Sequence, residues 1–155
     1  MFRIGFINKE LSVDKKRSNI CYGKIILGNF FENFIVDLFY WDRLKYSNQW
    51  KEGLKRILGK FNKSCLLTSM YQPDKVNFIK WWEIHKINTN IHFHETILPI
   101  FEMKEIFDEI NIYKYINDYK NITDDGEAIS EWIIPIKEVE VFYSEIKTID
   151  DVIYI

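Results

Sequence analysis

At 155 residues the chain suits one domain with a core of its own, and 47% hydrophobic with 17% aromatic residues excludes a disordered polymer. A formal net charge of −2 leaves no electrostatic footprint for nucleic acid. No apolar run is long enough to cross a bilayer, and MFRIGFINKEL has no apolar stretch followed by a small-residue cleavage site, so a soluble, cytoplasmic protein is expected.

MFRIGFI alternates as a strand does, with Phe2, Ile4 and Phe6 on one side. Residues 9–19, KELSVDKKRSN, read as a solvated loop. The run from Cys21 to Trp41 is dense in β-branched and aromatic residues and predicts two strands, with turns or bulges possible at Gly28-Asn29 and at Glu32-Asn33. Tyr46, Trp50, Leu54, Ile57 and Leu58 then fall on one helical face, with Ser47 as the expected N-cap and Gly59 at the end. Gln49, Lys51, Glu52, Lys55 and Arg56 take the other faces.

SCLLTSMY, residues 64–71, predicts a short buried strand. Residues 76–87 and 90–97 predict a hairpin joined through the polar NTN. The charged region 101–119 is expected to be helical in part. TDDGEA predicts a turn, ISEWIIPI a strand stopped by Pro135, and 137–146 a last helix before an exposed tail, DDVIYI. The sum is a single α+β domain, 1–155, with a largely antiparallel sheet and flanking helices. Cys21 and Cys65, both within apolar runs, are expected as buried free thiols.

Candidate chemistry is sparse. His92 and His94 share a face if they lie on a strand, and His85 across the hairpin is a conceivable third zinc ligand, with Glu83 and Glu95 near. An H-x-H pair with no further spaced ligand more often marks half-buried polar positions of a sheet. No serine sits in G-x-S-x-G, and neither G-x-x-x-x-G-K-[ST] nor G-x-G-x-x-G occurs. Adjacent Trp81 and Trp82 must point to opposite faces of a strand, which leaves one for a covering helix, solvent or a partner. Glu102, Glu105, Asp108 and Glu109 recur at roughly helical spacing, as a solvated helix face or as an acidic surface for a basic partner. Asp124 with Asp125 reads as a solvated turn. An aromatic pocket for a small ligand is permitted by the abundance of rings, without any pointer to the ligand.

ENF with Trp41, YSNQWKEGLKRILG, SCLLTSM, FIKWWEIHK, NIHFHETIL and ISEWIIPIKEVEVFY, taken in order from Gly28 to Tyr143, resemble the immunity proteins of bacterial contact-dependent growth inhibition systems, the CdiI type. Tyr46, Gln49, Trp50, Gly59, the LLTS run, Trp82 and Ser130-Glu131-Trp132 carry the match. The resemblance implies a cytoplasmic protein without enzymatic activity, cofactor or metal. It would bind the C-terminal toxin domain of a CdiA effector, often a nuclease, and block its active site. Carboxylates would then meet the basic residues with which a nuclease holds phosphate, and Glu102, Glu105, Asp108, Asp124 and Asp125 are the expected contacts. The alternative is a small metal-dependent enzyme or ligand-binding domain built on His85, His92 and His94.

Overall fold

The computed structural model describes residues 1–7 and 19–155, so the expected loop at 9–19 lies almost wholly outside the described residues. β1 (Phe2–Phe6), β2 (Ile20–Leu27) and β3 (Phe30–Asp37) form an antiparallel sheet in that order. α1 (Arg43–Leu58) follows. Then β4 (Lys63–Ser69), β5 (Phe78–Ile87), β6 (Asn90–Pro99) and β7 (Trp132–Pro135) make a second antiparallel sheet, and α2 (Ile136–Ile146) closes the described elements. This is the α+β architecture expected, with its antiparallel strands divided between two sheets. Gly28 has φ 67, a left-handed value that glycine adopts without strain, and makes the β2–β3 turn. β3 runs unbroken through Glu32-Asn33, so only the first of the two possible turns forms.

The core is aromatic. On the inner face of β1, Phe6 packs on Trp50 of α1 at 5.0 Å between ring centroids, and Phe2 packs on Phe93 of β6 at 5.3 Å and Phe142 of α2 at 5.4 Å. One strand thus joins the second sheet to both helices. Both cysteines are buried and free, and burial pushes both thiols up. Among the described residues no helix is long and apolar enough to cross a membrane.

α1 does more than cover a face. β4 is an edge strand, and its unpaired backbone groups need partners. The Gln49 amide supplies two, donating to the Cys65 carbonyl at 2.9 Å and accepting from the Leu67 N–H at 2.8 Å. Trp50 Nε1 donates to the Leu67 carbonyl at 2.7 Å, and the Tyr46 hydroxyl accepts from the Met70 N–H at 2.8 Å. Contact this close requires a helix residue without a side chain. A Cβ on Gly53 would stand 2.4 Å from the Cys65 carbonyl oxygen, and the Ser64 hydroxyl donates to the Gly53 carbonyl at 2.8 Å.

Several local expectations need correction. The helix begins a turn earlier than the serine suggested: Asp42 is the N-cap, accepting from the Lys45 N–H at 2.7 Å. Ser47 is buried inside the helix, where its hydroxyl accepts from the Ile153 N–H at 3.0 Å. The tail is correspondingly not free. Ile153 is buried, its carbonyl accepts from the Phe6 N–H at 2.8 Å, and the Ile155 N–H returns to the Phe6 carbonyl at 3.0 Å. Neither Trp81 nor Trp82 is left over for solvent, since both are buried; Trp82 meets Trp132 edge-on at 5.3 Å, and Trp132 stacks on Phe30 at 4.4 Å.

Residues 101–119 contain one short 3₁₀ helix, Ile112–Tyr115, and no α-helix. Local polar bonds win there. Asp108 accepts from both the N–H and the side-chain amide of Asn111, and the Asp108 N–H donates to the Tyr115 hydroxyl.

Gln49→Leu leaves the Cys65 carbonyl and the Leu67 N–H unpaired under the helix and should lower unfolding free energy by about 2–4 kcal/mol in urea titrations. Gly53→Ala tests the close approach by sign. Helix propensity alone predicts a gain of about 1 kcal/mol, whereas the overlap with β4 predicts a loss of about 1–3 kcal/mol. A stabilised Gly53→Ala variant would show that the helix does not need glycine there.

Candidate partner-binding surface

All five acidic residues of the expected contact set lie in the long connection between β6 and β7. This connection folds over the outer face of the second sheet, and two anchors hold it. The first is Glu109, whose carboxylate accepts from the Tyr40 hydroxyl at 2.5 Å and Trp41 Nε1 at 2.7 Å, with the Lys45 ammonium at 3.4 Å. Burial pushes the Glu109 carboxyl up, but the hydrogen bonds from Tyr40 and Trp41 and the charge of Lys45 outweigh it and leave it below its usual 4.5. The same bond pushes the Tyr40 phenol up to about 12.

Beside this anchor opens a groove of about 490 Å³, lined among others by Tyr40, Pro73, Asp74, Glu105, Ile106 and Phe107. Its surroundings are more apolar than a solvated acidic face requires: Phe39 is 72% exposed, Ile106 93% and Ile110 91%. Carboxylates beside open isoleucine and phenylalanine side chains make a surface suited to a partner with basic and apolar groups. Glu102 and Glu105 are exposed and have no ion pair among the described residues. Asp108 is committed internally. The Asn111 amide and backbone N–H hold its carboxyl below the usual 3.8, and Lys114 Nζ stands 3.5 Å away.

Asp124 and Asp125 belong to a different place. They sit in the turn closed by the Thr123 N–H to the Glu127 carbonyl, where Gly126 has φ 84. Asp124 pairs with Lys120 at 3.0 Å and lines a second concavity with Glu83, His94 and Asn117, and both Asp124 and Asp125 are exposed. The five carboxylates are therefore two groups, not one patch. The sequence reading overlooked Phe39, Tyr40, Ile106 and Ile110. Their available signal was isolated large apolar residues set among charges and turn residues, as in KEIFDEIN.

The second anchor is the histidine face. His92 and His94 do share a face of β6, and His85 is directly opposite His92 in the β5–β6 register. The rings face a carboxylate that the sequence reading did not place with them. His94 Nε2 is 2.8 Å and His92 Nδ1 3.0 Å from the same Glu131 oxygen, which also accepts from the Tyr119 hydroxyl at 2.9 Å. Tyr119 lies over the cluster, stacked on His94 with centroids 5.7 Å apart. Burial pushes the Glu131 carboxyl up, yet hydrogen bonds from His94, His92 and Tyr119 prevail and hold it below its ordinary value. Beneath, the Asn117 amide donates to Glu83 at 3.1 Å. Glu131, Tyr119, His92 and His94 bond one another, and among the described residues no group of three His, Cys, Asp or Glu side chains has the geometry to hold a metal ion. The cluster fastens the connection to the sheet.

The CdiI N-terminal domain family matches residues 36–142, from the end of β3 through most of α2. The chain belongs to the CdiI family. The immunity protein CdiI of Enterobacter cloacae is 28% identical over 139 residues, spanning 90% of this chain and 95% of that protein. A chain of the CdiA-CT/CdiI toxin and immunity complex from Enterobacter cloacae has the same fold, with a TM-score of 0.85, 28% identity, and coverage of 96% of this chain and 100% of that one. Tyr46, Gln49 and Trp50, which carried the resemblance to CdiI proteins, are the side chains that close the β4 edge.

The Glu109 anchor gives a pH signature. A carboxyl held below its unfolded value contributes stability that is present above that value and is lost as pH falls through the folded one. Wild type should therefore lose more stability between about pH 5 and pH 3 than Glu109→Gln does, read from urea midpoints at the two pH values. Parallel losses in the two proteins would mean that the anchor contributes nothing through its charge.

Proposed function

We propose that this chain is a cytoplasmic immunity protein that binds the C-terminal toxin domain of its own CdiA partner and neutralises it by covering the toxin's active site. The match to a chain of a toxin and immunity complex along 96% of this sequence carries the reading. Action is by binding and not by turnover. The histidine cluster that offered an enzymatic alternative is engaged with Glu131 and Tyr119 in holding the fold.

The toxin is proposed to be a nuclease. Glu102 and Glu105, exposed and without an ion pair among the described residues, lie on the same connection as the exposed Ile106 and Ile110 and offer carboxylates to the cations with which a nuclease holds phosphate. Apolar anchors next to unpaired acids give both the encounter rate and the lifetime of such a complex. Asp124 and Asp125 form a second acidic contact on the same connection, and Asp108 contributes by shaping the loop through Asn111.

The test is co-purification with the partner toxin domain, together with growth protection in cells expressing that toxin. A one-to-one complex that restores growth is expected. Reversing Glu102 and Glu105 to Lys should slow association about 10- to 100-fold with circular dichroism unchanged. Reversing Asp124 and Asp125 should have a smaller effect. Full protection by the Glu102/Glu105 double reversal would remove the groove from the interface, and the absence of any complex would remove the immunity reading itself.

A further inference from the structure

A further concavity lies away from the groove beside Glu109 and has the opposite charge. It is about 460 Å³ and opens between the C-terminal end of α1, the start of β4, the end of β5 and the 112–119 stretch. Among the described residues Arg56, Lys60, Lys63 and Lys86 line it, against Asp118 as the one acidic residue. In a chain whose net charge is −2, this is a local excess of cations. The rest of the wall is largely rings, from Phe61, Tyr113, Tyr119 and His85.

The cations are only partly committed. Lys63 Nζ is held by the Ile116 carbonyl at 3.1 Å and Asp118 at 3.0 Å, and Lys86 Nζ by the Gly59 carbonyl at 2.6 Å, so each ammonium keeps donor capacity. Arg56 is clamped between two rings, 3.9 Å from the Phe61 centroid and 4.0 Å from that of Tyr113, and has no ion pair among the described residues. Lys60 is exposed, with its ammonium 5.6 Å from the Phe61 ring.

Solvated surface cations are commonplace, but two features here are not. Among the described residues Arg56 Nε and His85 Nε2 are buried without a hydrogen-bond partner, and His85 is only 3% exposed. Its nearest carboxylate oxygen, on Glu83, is 3.6 Å away, beyond hydrogen-bond reach. Buried polar atoms left unpaired call for a cause, and both belong to residues lining the same cavity.

We propose that this cavity binds a flat aromatic anion of mononucleotide size, with its ring against Phe61 and its phosphate among Arg56, Lys60 and Lys63. The volume lies within the range of small-ligand sites, and a mainly aromatic wall with a few converging donors is their usual chemistry. Arg56 is preorganised by its two rings, so little side-chain freedom is lost when it meets phosphate. The lining shares no residue with the groove beside Glu109, and it adjoins through Asp118 the concavity that Asp124 lines. Binding of a small ligand is read without the toxin, so the site stands or falls independently of the immunity reading, and a second, small-molecule input to the same protein follows from it.

The test uses the full chain with adenosine 5′-monophosphate, adenosine and inorganic phosphate as separate probes, in calorimetric titration and thermal melting. Adenosine 5′-monophosphate should bind at one site at least about tenfold tighter than either fragment, and at about 100 times Kd should raise the melting temperature by about 5–10 °C. Lys60→Glu and Phe61→Ala, both at exposed side chains, should each weaken binding about tenfold or more while retaining the wild-type circular dichroism spectrum. Phosphate binding as tightly as the nucleotide would overturn the aromatic part of the assignment. No binding at millimolar nucleotide, or wild-type affinity in both variants, would overturn the site.

Discussion

The open edge of β4 is the constraint around which the chain is organised. A sheet that ended there without cover would present unpaired carbonyls and N–H groups to any passing strand. Instead, Gln49 answers the Cys65 carbonyl and the Leu67 N–H, Trp50 the Leu67 carbonyl, and Tyr46 the Met70 N–H. Fixing α1 in that position sets the rest in place. Trp50 becomes the platform for Phe6 and Phe34, which seats the first sheet, and Ser47 becomes available to the tail. The helix and strand are chemically quiet because their polar groups are occupied with one another.

With one face of the second sheet given to the aromatic core, its other face is free for a different kind of packing. It carries Glu83, His85, His92 and His94, and the covering layer is an irregular connection joined to it through Tyr119, Asn117 and Glu131. Hydrogen-bonded clusters fix orientation more than they supply net stability. A connection tied at a few such points, here and at Glu109, is free to vary between them. The exposed carboxylates and isoleucines lie in that free part.

The elements governed by one periodicity were legible in the sequence. The α1 face, the β5–β6 hairpin and the strand ending at Pro135 follow from spacing and turn residues alone. Errors arose where one side chain had two uses. Ser47 has the chemistry of an N-cap but serves the backbone of Ile153, and Asp42 caps the helix one turn earlier. The acids at 102–109 have helical spacing, but Asp108 and Asn111 bind each other locally and the helix does not form. Pairing of the histidines followed from strand alternation. Their shared carboxylate did not, because Glu131 is 37 residues from His94 and no local pattern links them. The basic cavity was equally out of reach, since its walls come from separate elements.

Glu109 meets Tyr40 across 69 residues of chain, and Ser47 meets Ile153 across 106. Contacts of that separation form late, after loop-closure entropy has been overcome by the hairpins and α1. The groove beside Glu109 is consequently absent from a partly made chain. During synthesis at about 5–20 residues per second, α1 emerges several seconds before the tail that locks it. A newly synthesised molecule passes through an interval in which its scaffold is forming and the groove does not yet exist. Whatever the groove binds meets only molecules already folded, so its occupancy is a matter of standing stock more than of rapid response.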